Sequence, residues 1–239
     1  MKNLRVLLFL LLLLCNFKHV IANDLFTEIP QTGPNLIVSL GSHCEVAAYL
    51  RQAGLRSEAY PFDWLTTFDH TLFASLIYND FAYFMDARFL YQYPYGNVVN
   101  WCYQIDFRHD WPYSDINFAK YFPEIRKKYE RRIERFRKLN RHYGKVYFVR
   151  AAYDLNLDPF LPTVTSQCTR IEISDAEILR NTLYEKFPNL DFTLVIVNYI
   201  EEETPDIIGL EKVIEFKVRK GYRTEDYSRL FQLLKNGQL

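Results

Sequence analysis

Asn35-Leu36-Ile37-Val38-Ser39-Leu40, followed at once by Gly41 and by Ser42-His43-Cys44-Glu45, sets the architecture. This short, mainly apolar run without alternation reads as a strand covered on both faces, as in a parallel sheet. Gly41 supplies a turn, and Ser42 with Glu45 forms an S-x-x-E capping box that opens a helix ending near Gly54. Further along, Ser174-Asp175-Ala176-Glu177 repeats the signature before a helix with Leu179, Leu183 and Phe187 on one side. Lys145–Val149, Phe192–Val197 and Val213–Val218 are rich in Val, Ile and Phe and read as strands, and Thr224–Lys235 reads as a closing helix. Strand and helix alternating at this spacing predict an α/β fold, a mostly parallel sheet covered by helices.

The stretch from Pro61 to Lys120 interrupts that alternation. A helix is expected around Thr67–Ile77, and residues 81–122 hold 15 Phe, Tyr and Trp. Val99, Trp101, Tyr103, Ile105 and Phe107 alternate with polar neighbours, so this run reads as one half-buried strand ending at Arg108-His109-Asp110. The region is predicted to be an aromatic-rich insertion, after the first strand–helix unit, that packs over one end of the sheet. Glu124–Asn140 is the clearest helix, with Ile125, Tyr129, Ile133, Phe136 and Leu139 on one stripe. Its nine Lys/Arg against three acids between Glu124 and Arg141 read as a solvated, ion-paired face, not as a nucleic-acid surface.

Ahead of the first strand, Lys2 and Arg5, ten apolar residues from Val6 to Cys15, and Val20-Ile21-Ala22 have the form of a secretory signal peptide cleaved after Ala22. Ten residues are too few to span a bilayer, which takes roughly 20. The expectation is an exported single domain over 23–239, secreted or periplasmic/lumenal, with no membrane span in the mature chain. Its charge falls from 29 basic against 29 acidic groups to 26 against 29, which demands no polyanionic partner. Three cysteines then remain, Cys44, Cys102 and Cys168. No spacing among them suggests zinc or another metal, and no nucleotide-binding glycine motif or other cofactor signature occurs. In an oxidising compartment an odd count is resolved if Cys102 and Cys168 pair and Cys44 stays free.

Cys44 is the leading candidate for chemistry. With Ser42 as cap it would sit at the second helical position, where unpaired N–H groups and the helix dipole favour a thiolate and lower its pKa. It also lies off the apolar stripe of Val46, Leu50 and Ala53. Parallel sheets bind ligands beyond the carboxyl ends of their strands. Three predicted strands run into polar residues there: Gly41–Cys44, Arg150 and Asn198. Arg150 could hold a carboxylate or phosphate, and Asn198 could orient a histidine. Among the mature histidines His43 is expected to point elsewhere around the helix, His70 lies in a helix turn, His142 follows the basic helix in a loop, and His109 stands at a strand end facing the cysteine helix.

Ser39-Leu40-Gly41-Ser42-His43-Cys44-Glu45-Val46-Ala47, Gly54-Leu55-Arg56 and Tyr60-Pro61-Phe62-Asp63-Trp64 resemble a family of largely uncharacterised proteins labelled "putative papain-like cysteine peptidases". His109-Asp110, the run Arg131-Arg132-Ile133-Glu134-Arg135-Phe136 and Phe148-Val149-Arg150 are similar to its later motifs. The resemblance implies a thiol hydrolase acting on an acyl, peptide or glycan substrate, with Cys44 as nucleophile and His109 as base. Asp110, Asp63 or Asn198 would be the orienting third member, and Arg150 and Trp64 would bind substrate. An acyl- or glycosyl-transferase with Arg150 and Asp63 on the donor, and a non-enzymatic module whose aromatic insertion binds carbohydrate or protein, are the alternatives.

Overall fold

The computed structural model describes residues 33–93, 97–112, 117–153, 170–200, 209–219 and 221–239. The expected signal peptide and Cys168 lie outside them. Among the described residues no helix is long and apolar enough to cross a membrane.

Four parallel strands form the central sheet in sequence order: β1 (Leu36–Ser39), β6 (Val146–Ala151), β7 (Phe192–Ile200) and β8 (Val213–Arg219). Every residue of β6 is buried, as a strand with both faces covered requires. The period-two alternation of strand side chains splits this sheet between two cores. Ile37, Tyr147, Val149, Val195 and Val197 face α1 (Glu45–Gln52) and α5 (Arg223–Lys235), which bring Val46, Leu50, Tyr227, Leu230 and Phe231. Val38, Phe148, Leu194 and Ile196 face α3 (Phe118–Lys138), α4 (Ile173–Lys186) and the insertion. The predicted stripe on α3, Ile125 to Leu139, is buried throughout. Its polar face carries the pairs Arg126–Glu130 at 3.0 Å and Lys138–Glu134 at 3.8 Å.

The insertion contains α2 (His70–Tyr78) and a small antiparallel sheet in the order β2 (Thr66–Thr67), β5 (Ile105–Asp106), β4 (Val98–Asn100), β3 (Leu90–Gln92). Phe136 of α3 joins the layers, its ring meeting Phe62 and Phe81 of the insertion, Phe148 of the sheet and Phe187 after α4.

Several local details depart from expectation. The alternating run 99–107 is a hairpin instead of one strand. The Asn100 side chain accepts from Tyr103 N–H at 3.0 Å and Gln104 takes φ 52°, which folds residues 101–104 into a turn and leaves Trp101 60% exposed. The second capping box is also displaced. Helix α4 starts at Ile173, and Asp175 accepts from Glu172 N–H at 3.1 Å, so the reciprocal pair is Glu172 and Asp175, not Ser174 and Glu177. At the end of α1 the glycine does what the sequence suggests: Gly54, at φ 68°, donates to Arg51 O and Leu55 donates to Leu50 O, a Schellman stop.

Candidate active site

The chain between β1 and α1 is drawn into the carboxyl end of the sheet. Leu40 N–H donates to Val149 O at 2.8 Å, and Gly41 O accepts from Ala151 N–H at 2.7 Å. Ser42 is fully buried, and its Oγ donates to Ala151 O at 2.9 Å. The serine hydroxyl is therefore committed to the end of β6 and does not cap α1. Helix α1 begins at Glu45 with Cys44 itself in the N-cap position, which makes no side-chain cap bond. This corrects the predicted second helical position for Cys44. The carbonyls of Gly41 and Ser42, from which α1 would otherwise be continued backward, are taken by Ala151 and by Thr67 N–H at 2.8 Å. Gly41, at φ 77°, permits the close passage, and a Cβ there would stand 3.4 Å from an Arg150 nitrogen.

With no helix turn between them, His43 and Cys44 turn their side chains together. Cys44 Sγ lies 3.3 Å from His43 Nδ1 and 3.9 Å from Nε2, within hydrogen-bond reach for sulfur. The expectation that His43 points away is overturned because it assumed helical geometry from Ser42 onward. Burial, reinforced by the charges of Arg108, His109 and Arg223, pulls His43 down to about 4. Burial likewise pushes the Cys44 thiol up, against the opposing pull of its own N–H and of Arg108. The lowered thiol expected from a helix start is thus reversed, and the resting pair at neutral pH is thiol and neutral imidazole.

The neighbours come from the ends of other elements. Tyr153, just past β6, meets the His43 ring edge-on at 5.8 Å. Glu45 accepts from Tyr199 Oη at 2.5 Å and from Arg223 at 3.3 Å, tying α1 to β7 and to the start of α5. Arg108 is held by buried Asp106 at 3.5 Å. Arg223, Tyr199 and Tyr153 were not singled out from sequence, since nothing local marks a strand-end tyrosine or a helix-start arginine as facing a cysteine 100 or more residues earlier.

The remaining predicted residues sit nearby in different company. His109 is exposed and edge-on to Trp64 at 6.1 Å; its charge reaches His43, but no hydrogen bond joins it to Cys44. Asp110 accepts from Tyr129 Oη at 2.5 Å and from Lys128, anchoring the segment to α3. Asp63 accepts from both Arg56 Nε and Nη2, at 2.9 and 2.6 Å, and from Tyr60 N–H, closing the turn that carries Trp64. Asn198 holds both backbone groups of Ile171 and donates to Glu215 at 2.7 Å. None of the three hydrogen-bonds a histidine, because each is spent on its own local segment. Arg150 is fully buried, donating to Leu40 O at 2.8 Å and Thr67 Oγ1 at 2.6 Å, with His70 Nδ1 at 3.3 Å. The guanidinium groups of Arg51 and Arg56 stand 5.2 and 5.7 Å from the centroid of the Trp64 ring. Cys102 carries a free, half-buried thiol in the β4–β5 turn.

The geometry is thus a cysteine–histidine pair at the carboxyl edge of a parallel sheet. No solved structure matches the chain. An uncharacterized protein of Acanthamoeba polyphaga mimivirus is 27% identical over 201 residues, covering 76% of this chain and 86% of that relative. A family model described as "Putative papain-like cysteine peptidase (DUF1796)" matches residues 35–202, from β1 to the end of β7, and the chain belongs to that family.

Proposed function

We propose that the protein is a cysteine-dependent acyl hydrolase, in keeping with the peptidase label of its family, with Cys44 as nucleophile and His43 as its base. The observation that carries this reading is the 3.3 Å approach of Sγ to His43 Nδ1 at the edge where parallel sheets bind ligands. In the resting pair the thiol donates to Nδ1 and the imidazole proton stays on Nε2. On attack, the S–H proton passes to Nδ1 as the S–C bond forms and the carbonyl electrons move to oxygen. The N–H groups of Glu45 and Val46, at the open start of α1, receive that oxyanion. An imidazolium among Arg108, His109 and Arg223 is strongly acidic, so it returns its proton to the leaving group as the acyl bond breaks. Water, deprotonated by His43, then releases the acyl group and restores the thiol. Arg150 and Asp63, the pair expected on a transferase donor, are enclosed and hydrogen-bonded internally, which favours the hydrolase over that alternative.

The test is covalent labelling by a peptide vinyl ester and turnover of thioester substrates, read by intact mass and by thiol release. Cys44→Ala should abolish both while leaving the melting temperature nearly unchanged, since the side chain is only half-buried. His43→Ala should slow turnover by roughly 10²–10⁴, the range of a lost general base. Full activity in Cys44→Ala rejects the thiol chemistry. A full rate in His43→Ala with loss in His109→Ala returns the base to His109.

A further inference from the structure

The insertion carries a surface for which the Cys44 chemistry has no use. Tyr78, Tyr83, Tyr91, Tyr93 and Trp101 are all about half exposed or more, and all belong to this one region. Single exposed apolar side chains are ordinary, whereas contiguous ones mark a binding face. Four of the five belong to touching groups: Tyr83 lies 4.9 Å from Phe89, which lies 5.2 Å from Trp101, and Tyr91 meets Tyr93 at 5.0 Å.

The rings are also held in place. Tyr83 is in the left-handed region at φ 61°, a conformation that non-glycine residues rarely adopt. Its carbonyl is fixed there by Asn100 Nδ2 at 2.8 Å, and Trp101 N–H donates to Phe89 O at 3.1 Å. Backbone held in a sparsely populated conformation to display a side chain is an observation that points to function.

Tyr83 also forms the lip of a groove of about 540 Å³ between the insertion and α3. The charged lining is already paired: Asp86 with Arg88 at 2.5 Å, Glu130 with Arg126 at 3.0 Å, and Arg137 with Asp80 beside the groove at 2.9 Å. Such a groove offers donors and acceptors with little net field, so it does not select a polyanion. Burying those pairs under an apolar protein surface would cost their hydration. Hydroxyl groups would replace that hydration, while the flat C–H faces of sugar rings cover the aromatic ladder.

We propose that this groove and the adjoining ladder Tyr83–Phe89–Trp101 bind a neutral oligosaccharide chain, a site separate from the thiol centre.

The experiment is isothermal titration of the full chain with four neutral oligosaccharides: maltoheptaose, laminariheptaose, cellohexaose and N-acetylchitohexaose. At least one should bind with one-to-one stoichiometry and quench tryptophan fluorescence. Trp101→Ala and Tyr83→Ala should each weaken it roughly tenfold, which corresponds to about 1.4 kcal/mol. Trp101→Phe should retain most of the affinity, and Tyr78→Ala, outside the ladder, should change nothing. Cys44→Ala should bind as the unaltered chain does, so failure of the hydrolase reading leaves this one standing. Both ring-deletion variants should melt normally; if either does not, Arg88→Ala, which strips a groove donor from an exposed side chain, replaces it. Silence from all four sugars overturns the proposal, as does binding indifferent to Trp101 and Tyr83. Concentration-dependent dimerisation abolished by Trp101→Ala, without any sugar response, gives the face to a second copy and overturns it too.

Discussion

Arg150 and Cys44 occupy the same edge of the same sheet, and their environments differ in kind. Arg150 has no exposed surface and divides its guanidinium among Leu40, Thr67 and His70, with the Phe73 ring 4.0 Å away. Cys44 is half-buried and has one partner that can exchange a proton with it. Each corner even contains an imidazole held neutral by burial, His70 in one and His43 in the other. A polar residue at a strand's carboxyl end is therefore not in itself a ligand site. What separates a brace from a reactive group is whether its hydrogen-bonding capacity is already spent.

The sharpest way to break this comparison is Arg150→Met. If Arg150 braces the edge, the change leaves the Leu40 carbonyl and the Thr67 hydroxyl buried without their donor and costs roughly 3–5 kcal/mol. For a chain of this size that lowers the melting temperature by very roughly 6–20 °C, measurable by calorimetry or by circular dichroism. If Arg150 instead binds substrate, the melting temperature holds and only turnover or KM changes.

Acid separates the two corners more gently. Burial, the leading cause for both, lowers His70 to about 3 and His43 to about 4, so the folded state resists protonating either. Their contributions to stability are present above the unfolded value near 6.5 and are lost as pH falls from there toward 4 and 3. Asp106, raised to about 6 by burial, works in the opposite sense: its contribution is present in acid and is lost as pH rises through 6. His109, also lowered by burial, adds to the fall, and Asp63, also raised by burial, opposes it, so three imidazoles against two carboxyls leave a net fall in denaturation midpoint between pH 6.5 and 4. His70→Asn, whose amide can accept from Arg150 in place of Nδ1, should flatten that limb without touching the thiol. An unchanged slope would mean that His70 is not held neutral in the fold.

The sequence shows the sheet and the helices plainly because they rest on long-range periodicity. The apolar run 36–40, interrupted only by Ser39, and the stripe Ile125, Tyr129, Ile133, Phe136 each repeat one signal several times, and one exception does not erase it. The site rests on single choices. Whether Ser42 caps α1 or bonds Ala151 depends on a residue 109 positions away, and the side-chain pairing of His43 with Cys44 follows from that choice. Residues 99–107 show the same limit, since alternation reads the same for one strand as for a hairpin whose turn is fixed by Asn100. Asp63, Asp110 and Asn198 look catalytic by type and motif, yet type cannot reveal that Arg56, Tyr129 and Ile171 have already claimed them.

Ser42 gives the smallest and most discriminating test, because the two roles open to it respond differently to glycine. As a helix cap, serine is replaced by alanine at a cost of about 0.5–2 kcal/mol but by glycine at only a few tenths. As the buried donor to Ala151 O, it removes the same one of two bonds whichever residue replaces it, since the backbone N–H of residue 42 still reaches that carbonyl at 3.3 Å, at about 0.5–1.5 kcal/mol. Ser42→Ala and Ser42→Gly should therefore destabilise the protein alike, with glycine slightly worse for its extra chain entropy. The bond also fixes the turn that carries His43, so both variants should slow turnover by more than their loss of stability explains. Measured by urea midpoints at pH 7.5, near-equal losses place Ser42 with Arg150 on the closed side of the edge. A glycine variant close to the unaltered protein would restore the cap, and with it the helical geometry that turns His43 away from Cys44.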